Sequence, residues 1–587
     1  MRAFGAVSAA SVLSGCGGGS SQNDGGVSVC IASEPENIDP CFNTTVDGAT
    51  YILHLFAGLA KWEKQGEKFI TVPECATELP EPTKNDDGSV TYTYTLKDGL
   101  KWSDGKDLTA ADFAFAWQRA SNVSTGSEYQ TMFQGIKGYS DDDPNAQLAV
   151  EAVDDKTLTV TLDNYLAYWN EILAFPTLMP AREDLVSNES WATDASTYVS
   201  NGAYTMTGWD HDSVITLEKN PNYHDADKVT MDKIKFYLSS DSNNMLSNFK
   251  NGTWQLIDDI PTNEMETLKG EYPDEFKIDP QIGTYYCCWN VNKDILPAGK
   301  TFSPEEAEIA RADVRCALSK LLDRNYIVEQ ITQAGQVPAS SFVPIGVKQP
   351  DGSEFYENAG SSKDFKGYYN VAPEAHEANF NEAVETLKKY YTFDESAGVF
   401  TDFPSITFLY NTSDAHKAIA EYLQGAFKQV GIDMQLENQE WNTFLNTRNA
   451  GDYIVARSGW LADYTDPICF LDMWVTASGN NDVFFGRDAH ADLKIYSVDT
   501  TDLGYSLKVD KGTWKETYDA LIALVKSETD NDKRFALMHK AEDLLMSTGA
   551  ITPLYFYTDS YMISKKLKGL FSIPLGFKLF TYTTIEE

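Results

Sequence analysis

Histidine, cysteine and positive charge are all scarce in this 587-residue chain, and each shortage removes a class of function. The seven histidines, at 54, 211, 224, 376, 416, 490 and 539, include no pair at the helical spacing that holds zinc. With Cys16 set aside, Cys30, Cys41, Cys75, Cys287, Cys288, Cys316 and Cys469 form an odd set with no metal-ligand spacing. At least one thiol therefore has no partner within the chain. Adjacent Cys287 and Cys288 face opposite ways if they lie on a strand, which makes them poor joint ligands for one ion. Buried thiols are expected, with one disulfide left open. Lysine and arginine number 47 against 87 acidic residues, and the net charge of −40 repels nucleic acid and anionic lipid. There is no phosphate-binding glycine loop, no serine elbow and no internal repeat. Beyond the amino terminus no run approaches the roughly twenty apolar residues that cross a bilayer. Glu437 and Glu440 are the one carboxylate pair worth weighing for acid–base work, but they stand three apart near a strand end and read as solvated. The chain is not expected to be an enzyme or to carry a cofactor.

At 42% hydrophobic and 23% charged, the composition is that of a folded protein, and the length calls for two or three domains. The first fifteen residues are weakly apolar and end Leu13-Ser14-Gly15-Cys16, which resembles a bacterial lipoprotein signal whose cysteine becomes lipidated. Residues 17–26, rich in glycine and serine, suit a flexible tether holding a folded body off a membrane. The expected order is therefore a signal peptide over 1–15, then lipidated Cys16 and tether over 16–26.

Period-two alternation predicts strands at Ser89–Leu96 and Thr157–Leu162. Val314, Ala317, Leu318, Leu321 and Leu322 recur at three and four, which predicts one buried helical face between Arg311 and Ile327. Ser405–Tyr410, then a helix carrying Ile419, Tyr422, Leu423 and Phe427, then Asp433–Glu437 reads as strand, helix, strand feeding a parallel sheet. Helical patterns at Trp514–Val525 and Phe535–Leu545 precede the apolar Ile551–Tyr557. The Gly- and Asn-rich stretches near 350–372 and 478–482 read as surface loops.

The segment Asn438–Arg448 begins directly after the second strand of that unit, where open parallel sheets bind ligands. With Ala456-Arg457-Ser458-Gly459-Trp460-Leu461-Ala462-Asp463-Tyr464, it brings two guanidinium groups, a carboxylate and two indoles into a short span. Those groups can hold a zwitterion by both ends, Arg as a fork for a carboxylate and Asp as an acceptor for an ammonium. The pattern resembles the ligand-binding region of the oligopeptide-binding proteins of ABC importers, in the peptide/nickel family (family 5) of extracellular solute-binding proteins. Tyr92–Phe113 with Trp117, Ser200–Tyr204 with Trp209, Glu218–Tyr223, Ile38-Asp39-Pro40 and Leu55–Leu59 carry the same likeness from about Val27 to the carboxyl terminus. In the first of these blocks Thr109 caps a helix with Asp112 in its first turn, a scaffold role.

The resemblance implies an α/β, two-lobed, periplasmic-binding-protein-like fold of the cluster C type that closes by hinge motion. Lobe I would take 27–57, 191–284 and 555–587, an additional domain 58–190, and lobe II 285–554. It also implies that Asp463 takes the α-ammonium of a short peptide, and that Arg457 and Arg448 take its carboxylate, with Lys348 a weaker candidate. Trp441, Trp460, Tyr129, Tyr286 and Tyr557 would line side-chain pockets, while Val46 and Ser458, Gly459, Trp460 and Leu461 would offer backbone groups as a strand does. From residue type alone, Asp463 could instead cap a helix, either arginine could form a surface ion pair, and Tyr129 and Tyr557 could be core. Leu461 stands where some relatives carry cysteine, so their inter-strand disulfide is not expected. The implied partners are short peptides and the permease and ATPase of an importer. The protein would be a monomer on the outer face of the cytoplasmic membrane, touching it only through the lipid. A peptide sensor without import, or a relative binding a metal chelate, haem or oligosaccharide, are the alternatives.

Overall fold

The computed structural model describes residues 26–66, 68–188 and 190–586. The expected signal peptide, the lipidated Cys16 and all but the last residue of the tether lie outside them. Among the described residues no helix is long and apolar enough to cross a membrane.

One eleven-stranded sheet runs through the molecule. Its strands are β1 (Gly26–Ala32), β2 (Tyr204–Asp210), β3 (Val214–Lys219), β4 (Lys233–Leu238), β5 (Leu256–Ile257) and β6 (Phe276–Trp289). They are followed by β7 (Val337–Pro338), β8 (Ile406–Asn411), β9 (Met434–Gln439), β10 (Val455–Leu461) and β11 (Ile551–Ile563). The order across the sheet is β9-β8-β10-β6-β11-β5-β1-β4-β3-β2, with β7 paired off this path to β11. At one end β8 is parallel to β9 and β10, and at the other β1 is parallel to β4 and β5. The antiparallel pair β6 and β11, 14 and 13 residues long, joins the two ends. Their ladder is interrupted between Pro280 and Thr284. There Ile282 turns to other partners: its N–H donates to the Pro574 carbonyl, and its carbonyl accepts from the Ala462 N–H, both at 2.8 Å.

The helices that matter here are α1 (Val46–Leu55), α2 (Ala110–Ser121), α3 (Pro304–Lys320), α4 (Asp414–Lys428), α5 (Trp441–Asn449) and α6 (Asn531–Ser547). As the spacing predicts, β8, α4 and β9 form a parallel strand–helix–strand unit, with Ile419, Leu423 and Phe427 buried on one face of α4. The predicted strands at Val90–Thr95 and Thr157–Leu162 pair antiparallel in a separate four-stranded sheet. Beside them the N–H of Thr109 donates to Asp112 Oδ2 at 2.9 Å, and Trp102 Nε1 donates to the same oxygen at 3.3 Å. One carboxylate thus ties the helix start to the preceding turn. Helix α3 is capped by Ser303 with Glu306 and ends at Lys320; Leu321 and Leu322 are buried but lie past its last residue.

Cys287 packs in one core with Leu318, Phe408 and Leu423, and Cys288 in the other with Leu409 and Ala456. The opposed faces expected of these neighbours are realised. The seven described cysteines are all free, and all but Cys316 are buried.

Helix α6 places Glu542 in the interior, where one oxygen accepts from the N–H groups of Phe342 at 3.0 Å and Val343 at 2.8 Å. Burial pushes this carboxyl up to about 8 despite those bonds. A group with a raised folded pKa gives its stabilisation in full below its unfolded value and loses it as pH rises through the folded value. The melting temperature should therefore fall between about pH 5 and 8. Glu542→Gln should flatten that part of the profile, as differential scanning calorimetry would record.

Candidate functional site

Only Glu440 separates the end of β9 from the start of α5, so the first turn of the helix opens at the carboxyl edge of the parallel strands. Trp441, Phe444, Leu445 and Arg448 recur at three and four and share one helical face. Phe444 and Leu445 are buried, and the Trp441 ring stacks on Phe444 with centroids 5.9 Å apart. Strand β10 lies against this face. The Arg457 guanidinium sits 5.3 Å from the ring centres of both Trp441 and Phe444, and its Nε donates to Asn411 Oδ1 at 2.6 Å. It is buried, and among the described residues no carboxylate stands within ion-pair distance of it. Arg448 is committed differently: its Nη1 donates to Ser458 Oγ at 3.2 Å, and its Nε lies 3.4 Å from Asp482 Oδ2.

These groups face a cavity of about 390 Å³. The wall is formed by Trp441, Leu445, Arg448 and Arg457 with Ser458, Gly459, Trp460 and Leu461, together with Thr44–Asp47, Asp258 and Tyr557–Ser560. Gly459 is needed in that wall, because a Cβ there would stand 2.3 Å from the Tyr557 hydroxyl. Asp258 and Asp559 both accept from buried Lys578 Nζ, at 2.8 and 2.7 Å. Burial raises Asp258 to about 6, with Lys578 opposing.

Asp463 stands beyond the end of β10, off the cavity wall. Its Oδ1 accepts from the Tyr129 hydroxyl at 3.2 Å, and its N–H donates to Cys469 Sγ at 3.1 Å. No cation among the described residues pairs with it. Burial, with the Asp472 carboxylate adding, holds its pKa well above the carboxylate range, and the Tyr129 bond opposes the shift. Trp460 is close by, its ring centre 6.3 Å from that of Tyr129 and its Nε1 donating to the Cys469 carbonyl at 3.1 Å.

The 58–190 segment covers this end. Asn449 donates to Glu128 Oε1 at 3.0 Å, Thr465 N–H to Glu171 Oε2 at 2.7 Å, and Lys526 to Gln134 Oε1 at 3.0 Å, while Tyr168 and Tyr464 stack at 4.7 Å.

Of the residues singled out in the sequence, Val46, Trp441, Arg448, Arg457, Ser458, Gly459, Trp460, Leu461 and Tyr557 meet at the cavity, and Tyr129 meets Asp463 beside it. Two are elsewhere. Tyr286 is an interior residue packed edge-on against Phe342 and Trp474, because alternation along β6 turns it away from Tyr285 and Tyr557. Lys348 is exposed and pairs with Glu354, six residues on, away from the cavity wall. The segment 478–482 is no surface loop: Ser478, Asn480, Asn481 and Asp482 are buried, and Asn480 and Asp482 line the cavity. Sequence reasoning also missed Asn411, which holds Arg457. It missed His416, whose Nδ1 lies 3.2 Å from the Tyr285 hydroxyl and whose protonation is disfavoured by burial and then by Arg457.

The family model for bacterial extracellular solute-binding proteins, family 5, matches residues 71–482. The chain belongs to this family. This family 5 protein is 32% identical over 584 residues to the oligopeptide-binding protein OppA of Bacillus subtilis, covering 95% of this chain and 94% of that one. Its fold superposes on the murein tripeptide-binding protein MppA of Escherichia coli with a TM-score of 0.77, at 26% identity over 96% of this chain and 98% of that one. Listeria monocytogenes OppA bound to peptide gives the same TM-score, at 25% identity over 96% and 99%. Against the unliganded open form of MppA the score is 0.56. The family 5 protein therefore matches one arrangement of the same relative better than its open one. The α/β fold is that of the periplasmic binding proteins.

Proposed function

We propose that this protein captures short peptides in the cavity beside β10 and delivers them to an ABC importer. One observation carries the reading. At one end of a strand a half-buried carboxylate, Asp463, has no cationic partner; at the other a buried guanidinium, Arg457, has no anionic one. Burying a charge is costly unless it is paired, so a guanidinium in the cavity wall and a carboxylate just beyond it are matched by a ligand that brings a carboxylate and an ammonium. Six positions separate them along the chain, at most about 20 Å of reach, the scale of a short extended peptide. Between them the backbone of Ser458–Leu461 can pair with that peptide as a strand would, which gives affinity without dictating its sequence.

In this reading β6 and β11 join lobe I (27–57, 191–284 and 555–587) to lobe II (285–554), with the domain 58–190 closing over the peptide amino terminus. Lipidated Cys16 tethers the body outside the cytoplasmic membrane. The peptide-binding names of the relatives support the ligand class.

Calorimetric titration of refolded, ligand-stripped protein with a mixed-sequence pentapeptide and its N-acetylated twin tests the proposal. The free peptide should bind and the acetylated one should lose most of its affinity. Equal binding of both would remove Asp463 as the anchor, and binding of neither would point to a non-peptide ligand.

A further inference from the structure

Three consecutive residues that follow β10 are each held by a different side chain of the 58–190 segment. The Tyr129 hydroxyl donates to Asp463 Oδ1 at 3.2 Å, the Tyr168 ring stacks on Tyr464 with centroids 4.7 Å apart, and Glu171 takes Thr465. The next residue, Asp466, is fixed from its own side instead, by bonds from Arg534 of α6 at 3.0 and 2.5 Å. Among the described residues no strand of 58–190 joins the eleven-stranded sheet, so the two parts meet here without a shared ladder.

Glu171 is the most fully committed of these side chains. It lies in the short helix Trp169–Ile172, and both of its oxygens are given to Thr465. Oε2 accepts from the Thr465 N–H at 2.7 Å, and the two oxygens share the Thr465 hydroxyl at 2.9 Å each. Hydrogen bonds to an ionised acceptor are the strong kind. Tyr129, Tyr168 and Tyr464 are buried, whereas Thr465 is exposed, so this contact lies at the rim of the interface. Water can replace each partner there when the two parts separate, and the contact opens without stranding a buried charge. Asp463 stands two residues from Thr465 on the same segment, so whatever fixes Thr465 also fixes the backbone that carries the Asp463 carboxylate.

We propose that Glu171 is a positioning residue: it latches domain 58–190 onto the Asp463 segment when the lobes are closed, and so sets how fast a captured peptide is released. This rests on the peptide-capture reading above and adds to it the contact that times release. Encounter takes place before the latch forms, so the association rate is left alone.

The test is stopped-flow binding of a fluorescent pentapeptide to the ligand-stripped full chain, to Glu171→Ala and to Glu171→Gln. Release should be about tenfold faster in Glu171→Ala, with the association rate within about twofold of the wild type. Glutamine keeps an oxygen for the Thr465 N–H and offers a donor to its hydroxyl, so release from Glu171→Gln should return to within about threefold of the wild type. A purely structural role would lower the melting temperature of the ligand-free protein and would not produce this split between the two rates. Amide hydrogen exchange at Thr465 reads the latch without any peptide: the exposed residue owes its protection to Glu171, and its N–H should exchange about tenfold or more faster in Glu171→Ala. Unchanged release in Glu171→Ala, or equal exchange at Thr465 in both proteins with and without peptide, would overturn the proposal. Failure of every peptide to bind, with Thr465 still protected through Glu171, would overturn peptide capture while supporting the latch.

Discussion

Asp463→Ala is expected to weaken binding of a free-amine peptide by a factor on the order of tens to thousands, since losing one partner of a desolvated charge pair costs about 2–5 kcal/mol. The magnitude follows from the surroundings. The carboxylate is covered by Tyr129, whose ring packs 5.0 Å from Phe175, so water reaches the vacated space poorly and the peptide ammonium would be stranded there. The same cover would leave the Tyr129 hydroxyl without its acceptor. Asp463→Asn keeps the shape and removes the charge, and should retain only a small part of the affinity. The sharper readout is a double-mutant cycle with the acetylated peptide. If the two groups meet, acetylation should cost the Asp463→Ala protein almost nothing further. Additive losses would show that the ammonium is held elsewhere.

Lys578→Met should destabilise the fold by about 3–5 kcal/mol, because it strips the cation from two carboxylates that the structure keeps in place. Lys578 is 2% exposed and its ammonium makes three short contacts, one to Asp258 and two to Asp559. Methionine replaces the stem and supplies no donor. With the cation gone, burial would push the Asp258 carboxyl further up than the value of about 6 that it has in the presence of Lys578. Groups raised in the folded state stabilise below their unfolded values and lose that contribution as pH rises. The deficit of the variant should therefore shrink toward pH 4 and be largest above neutrality, as urea unfolding at a series of pH values would record. A loss under about 1 kcal/mol at neutral pH would mean that the cluster rearranges or admits water.

Elements set by local rules were legible in the sequence. The β8–α4–β9 unit follows from apolar spacing, and the Thr109–Asp112 start of α2 from cap chemistry. At the site, Arg457 and Trp460 were legible by residue type, and Trp441 also by its place after a parallel strand. What failed depends on packing and pairing that residue type does not announce. Segment 478–482 is as polar as a surface loop, yet Asn481 donates to the carbonyls of Val475 and Phe485 and accepts from the Phe485 N–H, an internal network that lets it be buried. Tyr285 and Tyr286 are adjacent aromatics on a strand buried on both faces, so no alternation of polarity says which one turns toward the ligand side. Lys348 has the charge a carboxylate anchor needs, but its partner Glu354 lies in its own loop. The triad of Lys578, Asp258 and Asp559 joins residues 320 and 19 positions apart, which no local pattern announces.

The break in the ladder between β6 and β11 bears on how the molecule can move. For most of their length these strands are bound rung to rung and resist bending as a plank does. At Gln281–Gly283 the rungs are missing, and the one peptide group there with bonds on both sides, Ile282, is tied to Pro574 on one hand and Ala462 on the other. Rotation of one half of the sheet against the other is cheapest where the fewest cross-strand bonds must stretch. The crossing thus acts as a universal joint set in an otherwise stiff shaft, and Gln281, which lines the cavity, sits in that joint.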